Sequence, residues 1–184
     1  EKMLYDNAEI PRAFLAGYQV TGDERYAEVV GETFEFLKRE LQHPDGGFYS
    51  TLDARSAVEP TGSDRDSGRG AKRPESSEGE TGDQKEGAFY VWTPDEIYGV
   101  VDDETAADLF CDRYGVVRGG NFEKGQTVLT ETTSTEELAE EYDMDPANVE
   151  AEVATAREQV FEARSERARP ARDEKILAGW NGLT

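Results

Sequence analysis

The chain has 184 residues with 41 acidic against 20 basic side chains, a formal charge of −21, and it is long enough for one ordinary domain with a buried core. That balance excludes a nucleic-acid footprint, because phosphate contacts need a basic surface and the richest Arg run, residues 164–172, is interrupted by Glu166 and Pro170. A single cysteine, Cys111, excludes an internal disulfide or a C-x-x-C centre, and no apolar run approaches the ~20 residues of a membrane span.

Only six of the basic residues are Lys. Acidic excess with few lysines is expected of a surface that must keep its water in molar salt, so the composition predicts a soluble protein of a salt-rich cytosol. An acidic disordered chain is the rival reading, but eight Phe, eight Tyr and two Trp placed in periodic segments argue against it. The first residues carry no signal-peptide pattern. The chain opens Glu1-Lys2-Met3 and stops at Trp180-Asn181-Gly182-Leu183-Thr184 inside an apolar helix start, so both ends are expected to be cut from a longer protein.

In chain order, Leu4 to Tyr18 carries apolar residues on more than one side and predicts an inner helix, with a kink or break near Glu9 to Pro11. Residues 23–41 predict an amphipathic helix with Tyr26, Val29, Val30, Phe34, Leu37 and Leu41 on one stripe. Thr21 with Glu24 reads as its capping box, and Gly22 as the end of the helix before. Phe48 to Leu52 and Gly87 to Trp92 read as two short strands that pair. Between them, residues 57–85 hold almost no apolar side chain and predict a solvated, poorly ordered loop.

Thr93-Pro94-Asp95-Glu96 supplies an N-cap, a first-turn Pro and a Glu at the third position, predicting a helix to about Val101. Asp103 starts another through Tyr114, stopped by Gly115. A Gly-rich loop to Gly125 and a strand at Thr127 to Leu129 follow. Ser134 with Glu137 caps a helix to about Tyr142, and Asp145-Pro146 opens a long one, Ala147 to Ala168, burying Val149, Val153, Ala156 and Val160. Asp173 is read as the cap of a last helix. Cys111, in Leu109-Phe110-Cys111, reads as a small core hydrophobe.

Two other patterns fail on inspection. Asp64-Arg65-Asp66-Ser67-Gly68 has Arg65 between its acids and no bidentate Glu at calcium-loop spacing. Gly119-Gly120-Asn121 has no following Lys-Ser/Thr, as a phosphate loop requires. No metal and no cofactor is expected. His43, the only histidine, lies beside Pro44 and reads as a surface turn residue rather than a base.

Four ordered blocks resemble a known family: Glu1 to Ala8, Gly46-Gly47-Phe48-Tyr49-Ser50-Thr51-Leu52-Asp53-Ala54, Glu86 to Thr93, and Asp173 to Leu183. Together they are similar to thioredoxin-domain-containing proteins of the YyaL and spermatogenesis-associated protein 20 type. The resemblance implies a mainly α fold, part of an (α/α)6 toroid like that of six-hairpin glycosidases and N-acylglucosamine 2-epimerases, carrying a small antiparallel β-hairpin. It implies that residues 1–184 are the middle of that toroid, without the thioredoxin-like domain and the other hairpins. The chain departs from the family at Arg55, at Pro11 and in its long polar insertion.

In such a toroid, inner helix ends point at a central cavity. The resemblance therefore places Tyr5, Asp6 and Asn7, and Asp173, Lys175, Trp180 and Asn181, beside it. Strand alternation adds Tyr90 and Trp92 on one face. Aromatic faces stack on sugars while amides and carboxylates bond hydroxyls. Glycoside hydrolysis needs two carboxylates, and Asp6, Asp53, Glu86 and Asp173 are the catalytic candidates, with Tyr5, Asn7, Tyr90, Trp92, Lys175, Trp180 and Asn181 as substrate contacts. The plainer roles are capping and hydrogen-bond anchoring for Asp6 and Asp173, and core packing for Trp92 and Trp180. A carbohydrate-active enzyme in the longer protein is one expectation; a non-enzymatic scaffold is the other, with no nucleic acid or membrane as partner. The chain alone is expected to lack activity and to self-associate through uncovered helix faces.

Overall fold

The computed structural model describes residues 1–57 and 84–184. Of the predicted loop 57–85, only Ala57, Gln84 and Lys85 are among them, and these are strand residues rather than loop. The Asp64 to Gly68 cluster lies outside the described residues. These residues form two compact units, one of Glu1–Ala57, residues 84–86 and Pro170–Thr184, the other of Gly87–Arg169. Seven α-helices and five short strands account for most of the regular structure among the described residues.

In the first unit, β1 (Lys2–Met3) leads directly into α1 (Leu4–Thr21). No break occurs at Pro11: the helix continues through it, with the ring buried beside Leu4 and Ala8 on one face. The two-faced burial read from the sequence is not found, since Ile10, Leu15 and Val20 are exposed. Gly22 ends α1 in the left-handed region at φ 71, where an L side chain is strained. α2 (Glu24–Phe36) follows at once and packs on α1 as a helical hairpin.

The cap of α2 is Asp23, whose carboxylate accepts from the Arg25 N–H at 3.1 Å. Thr21 does not serve: it is still helical, and its hydroxyl donates to the Gly17 carbonyl at 2.8 Å. The predicted stripe is buried only in its last turn, a π-helical segment Leu37–Leu41 where Leu37 and Leu41 are covered while Phe34 stays exposed.

Leu4, Leu37, Leu41, Tyr49 and Leu52 form this unit's core, with Trp180 packed against it. Over it lies a three-stranded antiparallel sheet in the order β1, β2 (Thr51–Leu52), β5 (Arg172–Asp173). Its register sets Met3 opposite Thr51 and Thr51 opposite Asp173. The expected partnership of residues 48–52 with 87–92 is thus corrected: β2 pairs with both ends of the chain. A separate two-stranded ladder joins β3 (Arg55–Ala57) to β4 (Gln84–Glu86), with Arg55 opposite Glu86. α7 (Ala178–Asn181), a single turn, packs on α1.

The second unit is helical. α3 (Pro94–Val100) starts at a complete Thr93/Glu96 capping box, α4 (Glu104–Tyr114) at Asp103, α5 (Thr135–Glu141) at a Ser134/Glu137 box and α6 (Pro146–Ser165) at Asp145. All four starts agree with the sequence reading. α6 buries Val149, Val153, Ala156 and Val160 as expected, although it stops three residues early. Cys111 is buried, which pushes its thiol up to about 11 and removes it from thiolate chemistry. Residues 87–90 form a turn, and Thr127 makes only an isolated bridge with Trp92 rather than a strand.

Candidate functional site

The first unit gathers most of the sequence-derived candidates. The sheet register explains why: β1 ends three residues before Asp6, β5 contains Asp173, and β2 lies between them and leads into Asp53. Asp53 is fastened there, its N–H donating to the Ala171 carbonyl at 2.7 Å and its carboxylate accepting from the Arg55 N–H at 3.0 Å. Glu86 is opposite Arg55 in the second ladder. The four candidate carboxylates thus sit on separate elements of this unit, Asp6 in α1, Asp53 after β2, Glu86 in the second ladder and Asp173 in β5, with Asp6, Asp53 and Glu86 exposed and Asp173 half-buried.

Tyr5 and Trp180 meet edge to face, ring centroids 4.9 Å apart at 73°. This contact joins the first block of the chain to the last. Trp180 rests with its other side on the core that Leu4 and Leu41 help form, while Tyr5 is 36% exposed. The pair thus leaves Tyr5 as a partly exposed ring packed on the Trp180 that lies against the core. Asp6 stands one residue further on, in the first turn of α1, where the helix dipole favours a carboxylate. Met3, not Asp6, occupies the N-cap position.

Asp173 does not cap a helix, correcting the sequence reading; it lies in β5, and Leu177 is the residue that precedes α7. Its carboxylate accepts from Lys175 twice, from Nζ at 3.0 Å and from the backbone N–H at 3.2 Å. Those bonds hold its carboxyl below the usual carboxylate range. Asp173 is thereby held in its ionised form and suits an anchor, a base or a nucleophile rather than a proton donor.

The amides are committed to the fold. Asn7 donates from Nδ2 to the Met3 carbonyl at 2.7 Å, and Asn181 bonds both polar groups of the Phe48 backbone. Tyr90 and Trp92 belong to the second unit, and without a strand the argument that they share a face fails. Trp92 is 1% exposed in that unit's core, with the Arg167 guanidinium 3.7 Å from its ring centroid. Core packing is its role.

Sequence reasoning missed Arg172. Its guanidinium lies 4.2 Å from the Tyr49 ring centroid, donates to the Glu40 carbonyl at 3.1 Å and reaches Glu174 at 2.9 Å. Reading residues 172–173 as a strand rather than a helix start exposes the signal, because alternation then separates Arg172 from Asp173. Among the described residues, no group of three His, Cys, Asp or Glu side chains is placed to hold a metal ion, and no helix is long and apolar enough to cross a membrane.

Comparison with known proteins gives one consistent relationship. The whole chain is similar to spermatogenesis-associated protein 20 of Homo sapiens, 35% identical over 200 aligned residues, and to the Mus musculus protein at 34%, in each case covering 23% of that protein. An uncharacterised protein of Caenorhabditis elegans is 25% identical, with 25% of its length covered. The chain spans about a quarter of the length of these curated relatives. No family model matches it.

Proposed function

We propose, from the relationship of this chain to the spermatogenesis-associated protein 20 family, that it forms part of a helical toroid in a longer protein and supplies one wall of a carbohydrate-recognising cavity. The observation that carries this reading is the Tyr5–Trp180 contact at 4.9 Å, which joins the two ends of the chain around an accessible aromatic ring. Tyr5 offers a flat apolar face to a pyranose, and Asp6, Asp173 and Lys175 offer hydroxyl partners nearby in the chain. The α1–α2 hairpin, with Ile10, Leu15, Val20 and Phe34 exposed, supports the toroid: such faces are covered when further hairpins pack against them.

If the longer protein cleaves or rearranges a glycosidic bond, Asp173 is the ionised partner and one of Asp6, Asp53 and Glu86 the proton donor. Calorimetric titration of the intact longer protein with neutral mono- and disaccharides tests the reading. Saturable binding of at least one sugar is expected. Absence of binding by all of them at millimolar concentration overturns it.

A second reading, a non-enzymatic scaffold, is favoured by one specific observation: Asn7, Asn181 and Asp173 spend their polar atoms on internal partners. Under that reading the four carboxylates can be replaced together by amides with no change in any ligand-dependent property, and co-purification recovers a protein partner.

A further inference from the structure

We infer that Asn181 is a positioning residue and not a ligand contact: its carboxamide docks the one-turn helix α7 onto Phe48 and thereby sets Trp180 against Tyr5. The functional meaning of this role rests on the carbohydrate reading above; the role itself does not.

The argument begins with Phe48. It bridges Gln42 in an antiparallel turn whose flanking bonds run from the His43 N–H to the Gly47 carbonyl at 2.9 Å and from the Tyr49 N–H to the Leu41 carbonyl at 2.8 Å. Phe48 is therefore the non-hydrogen-bonded residue of the pair, and its own N–H and C=O point outward, away from Gln42. Left half-buried without partners, these groups would be desolvated with no hydrogen bond to offset the loss of water.

Asn181 meets both. Its Oδ1 accepts from the Phe48 N–H at 2.7 Å, and its Nδ2 donates to the Phe48 carbonyl at 3.0 Å. A donor and an acceptor on one backbone residue fix which way the amide faces. The second Nδ2 proton goes to the Leu177 carbonyl at 3.0 Å, the carbonyl that opens α7. The side chain acts as a one-residue strand toward Phe48 and as a brace within its own turn.

α7 has only four residues, Ala178–Asn181, and one isolated turn does not hold itself in water, because nucleation is unfavourable. Its orientation is set by what it docks on. The clamp on Phe48 fixes residue 181 and, with it, the direction of the adjacent Trp180 ring. Gly47 completes the device: at φ +81 it takes a backbone conformation rare for L residues, and a Cβ there would stand 3.1 Å from Asn181 Oδ1. With both Nδ2 protons and one Oδ1 lone pair used internally, Asn181 keeps no donor for a sugar hydroxyl.

In the intact longer protein labelled with 5-fluorotryptophan, Trp92→Phe and Trp180→Phe assign the fluorine resonances of these two residues, with the buried Trp92 as internal control. Tyr5→Leu is expected to shift the Trp180 resonance and leave that of Trp92 in place. Asn181→Asp retains the acceptor but loses both donors, and is expected to shift Trp180 and leave Trp92 in place. Adding Tyr5→Leu to that variant is expected to produce no further shift. Gly47→Ala, which leaves Asn181 intact, is expected to move the same resonance and is the second probe if Asn181→Asp does not fold.

A Trp180 resonance unmoved in both variants overturns the inference, even if their melting temperatures fall. So does loss of sugar binding in Asn181→Asp with Trp180 unmoved, which identifies a ligand contact. If the intact protein binds no sugar, the carbohydrate reading fails while the fluorine shifts still decide the role of Asn181.

Discussion

Tyr5 and Trp180, the fifth residue of the chain and the fifth from its end, hold their rings edge to face at 4.9 Å. The same unit joins the two ends of the chain through its sheet, in which β2 pairs with β1 on one side and β5 on the other. Aromatic pairs of this geometry contribute about 0.5–1.5 kcal/mol beyond their buried area. Tyr5→Ala is accordingly expected to lower stability by roughly 1–2 kcal/mol in urea denaturation, far less than a core truncation of Leu4, at about 2–5 kcal/mol.

Helix caps give a sharper test of the local reading. Thr93→Ala and Ser134→Ala each break a complete capping box and are expected to cost about 1 kcal/mol apiece. Asp23→Ala is expected to cost a similar ~1 kcal/mol, whereas Thr21→Ala should cost only a few tenths. Equilibrium denaturation of the four variants separates these outcomes; equal losses for Thr21 and Asp23 would return the cap to Thr21.

Arg167 fastens the start of the second unit to its end. Its Nη1 donates to the Val91 carbonyl at 2.8 Å and to those of Ala88 and Phe89 at 3.4 and 3.3 Å, while the guanidinium plane covers Trp92. Burial depresses its pKa, and Glu96 opposes that shift. Arg167→Ala is expected to cost about 2–4 kcal/mol, and Arg167→Lys to recover little of it, since an ammonium lacks the planar fork. Full recovery by Lys would show that charge alone is at work.

Tyr98 supplies a pH dependence. Its hydroxyl donates to Asp108, and that bond, with burial and nearby negative charge, pushes its pKa up to about 12 from 10.0. A raised tyrosine pKa means that the folded state favours the neutral phenol. Its contribution to stability is present below pH ~10 and is lost as pH rises toward ~12. Absorbance titration at the phenolate band should show late ionisation of this residue, abolished in Asp108→Asn.

The charge of −21 predicts a response to salt. Screening shortens the Debye length from about 10 Å at 0.1 M to about 3 Å at 1 M, relieving self-repulsion in the compact state. The melting temperature is expected to rise with potassium chloride up to molar concentration. A flat or falling curve would remove the argument for salt adaptation.

What the sequence disclosed was governed by distance along the chain. The starts at Thr93, Asp103, Ser134 and Asp145 were legible because a cap and its target lie within three residues, and the α6 stripe because its period is local. Thr21 misled for the same reason: two capping residues lie either side of Gly22, and only the left-handed glycine decides that Thr21 belongs to the earlier helix. Strand partnership is non-local, so residues 48–52 were matched to the next β-like run instead of to both chain ends. Asp173 looked like a cap since Asp before an apolar run reads that way, and its pairing with Thr51 has no local signature. Of the site, the nearness of the first and last blocks was expected only through the family resemblance, since it has no local signal; the use of Asn7 and Asn181 as backbone partners was not legible, because the carbonyls they meet are fixed only by the fold.

The most direct test of the carbohydrate reading compares two aromatic substitutions in the intact longer protein by calorimetric titration with a sugar that the parent protein binds. Tyr5→Ala is expected to weaken binding about tenfold or more, equivalent to ~1.4 kcal/mol, while Trp92→Phe, buried in the other unit, leaves affinity unchanged. Unaltered affinity in Tyr5→Ala, with the variant folded, would contradict the account.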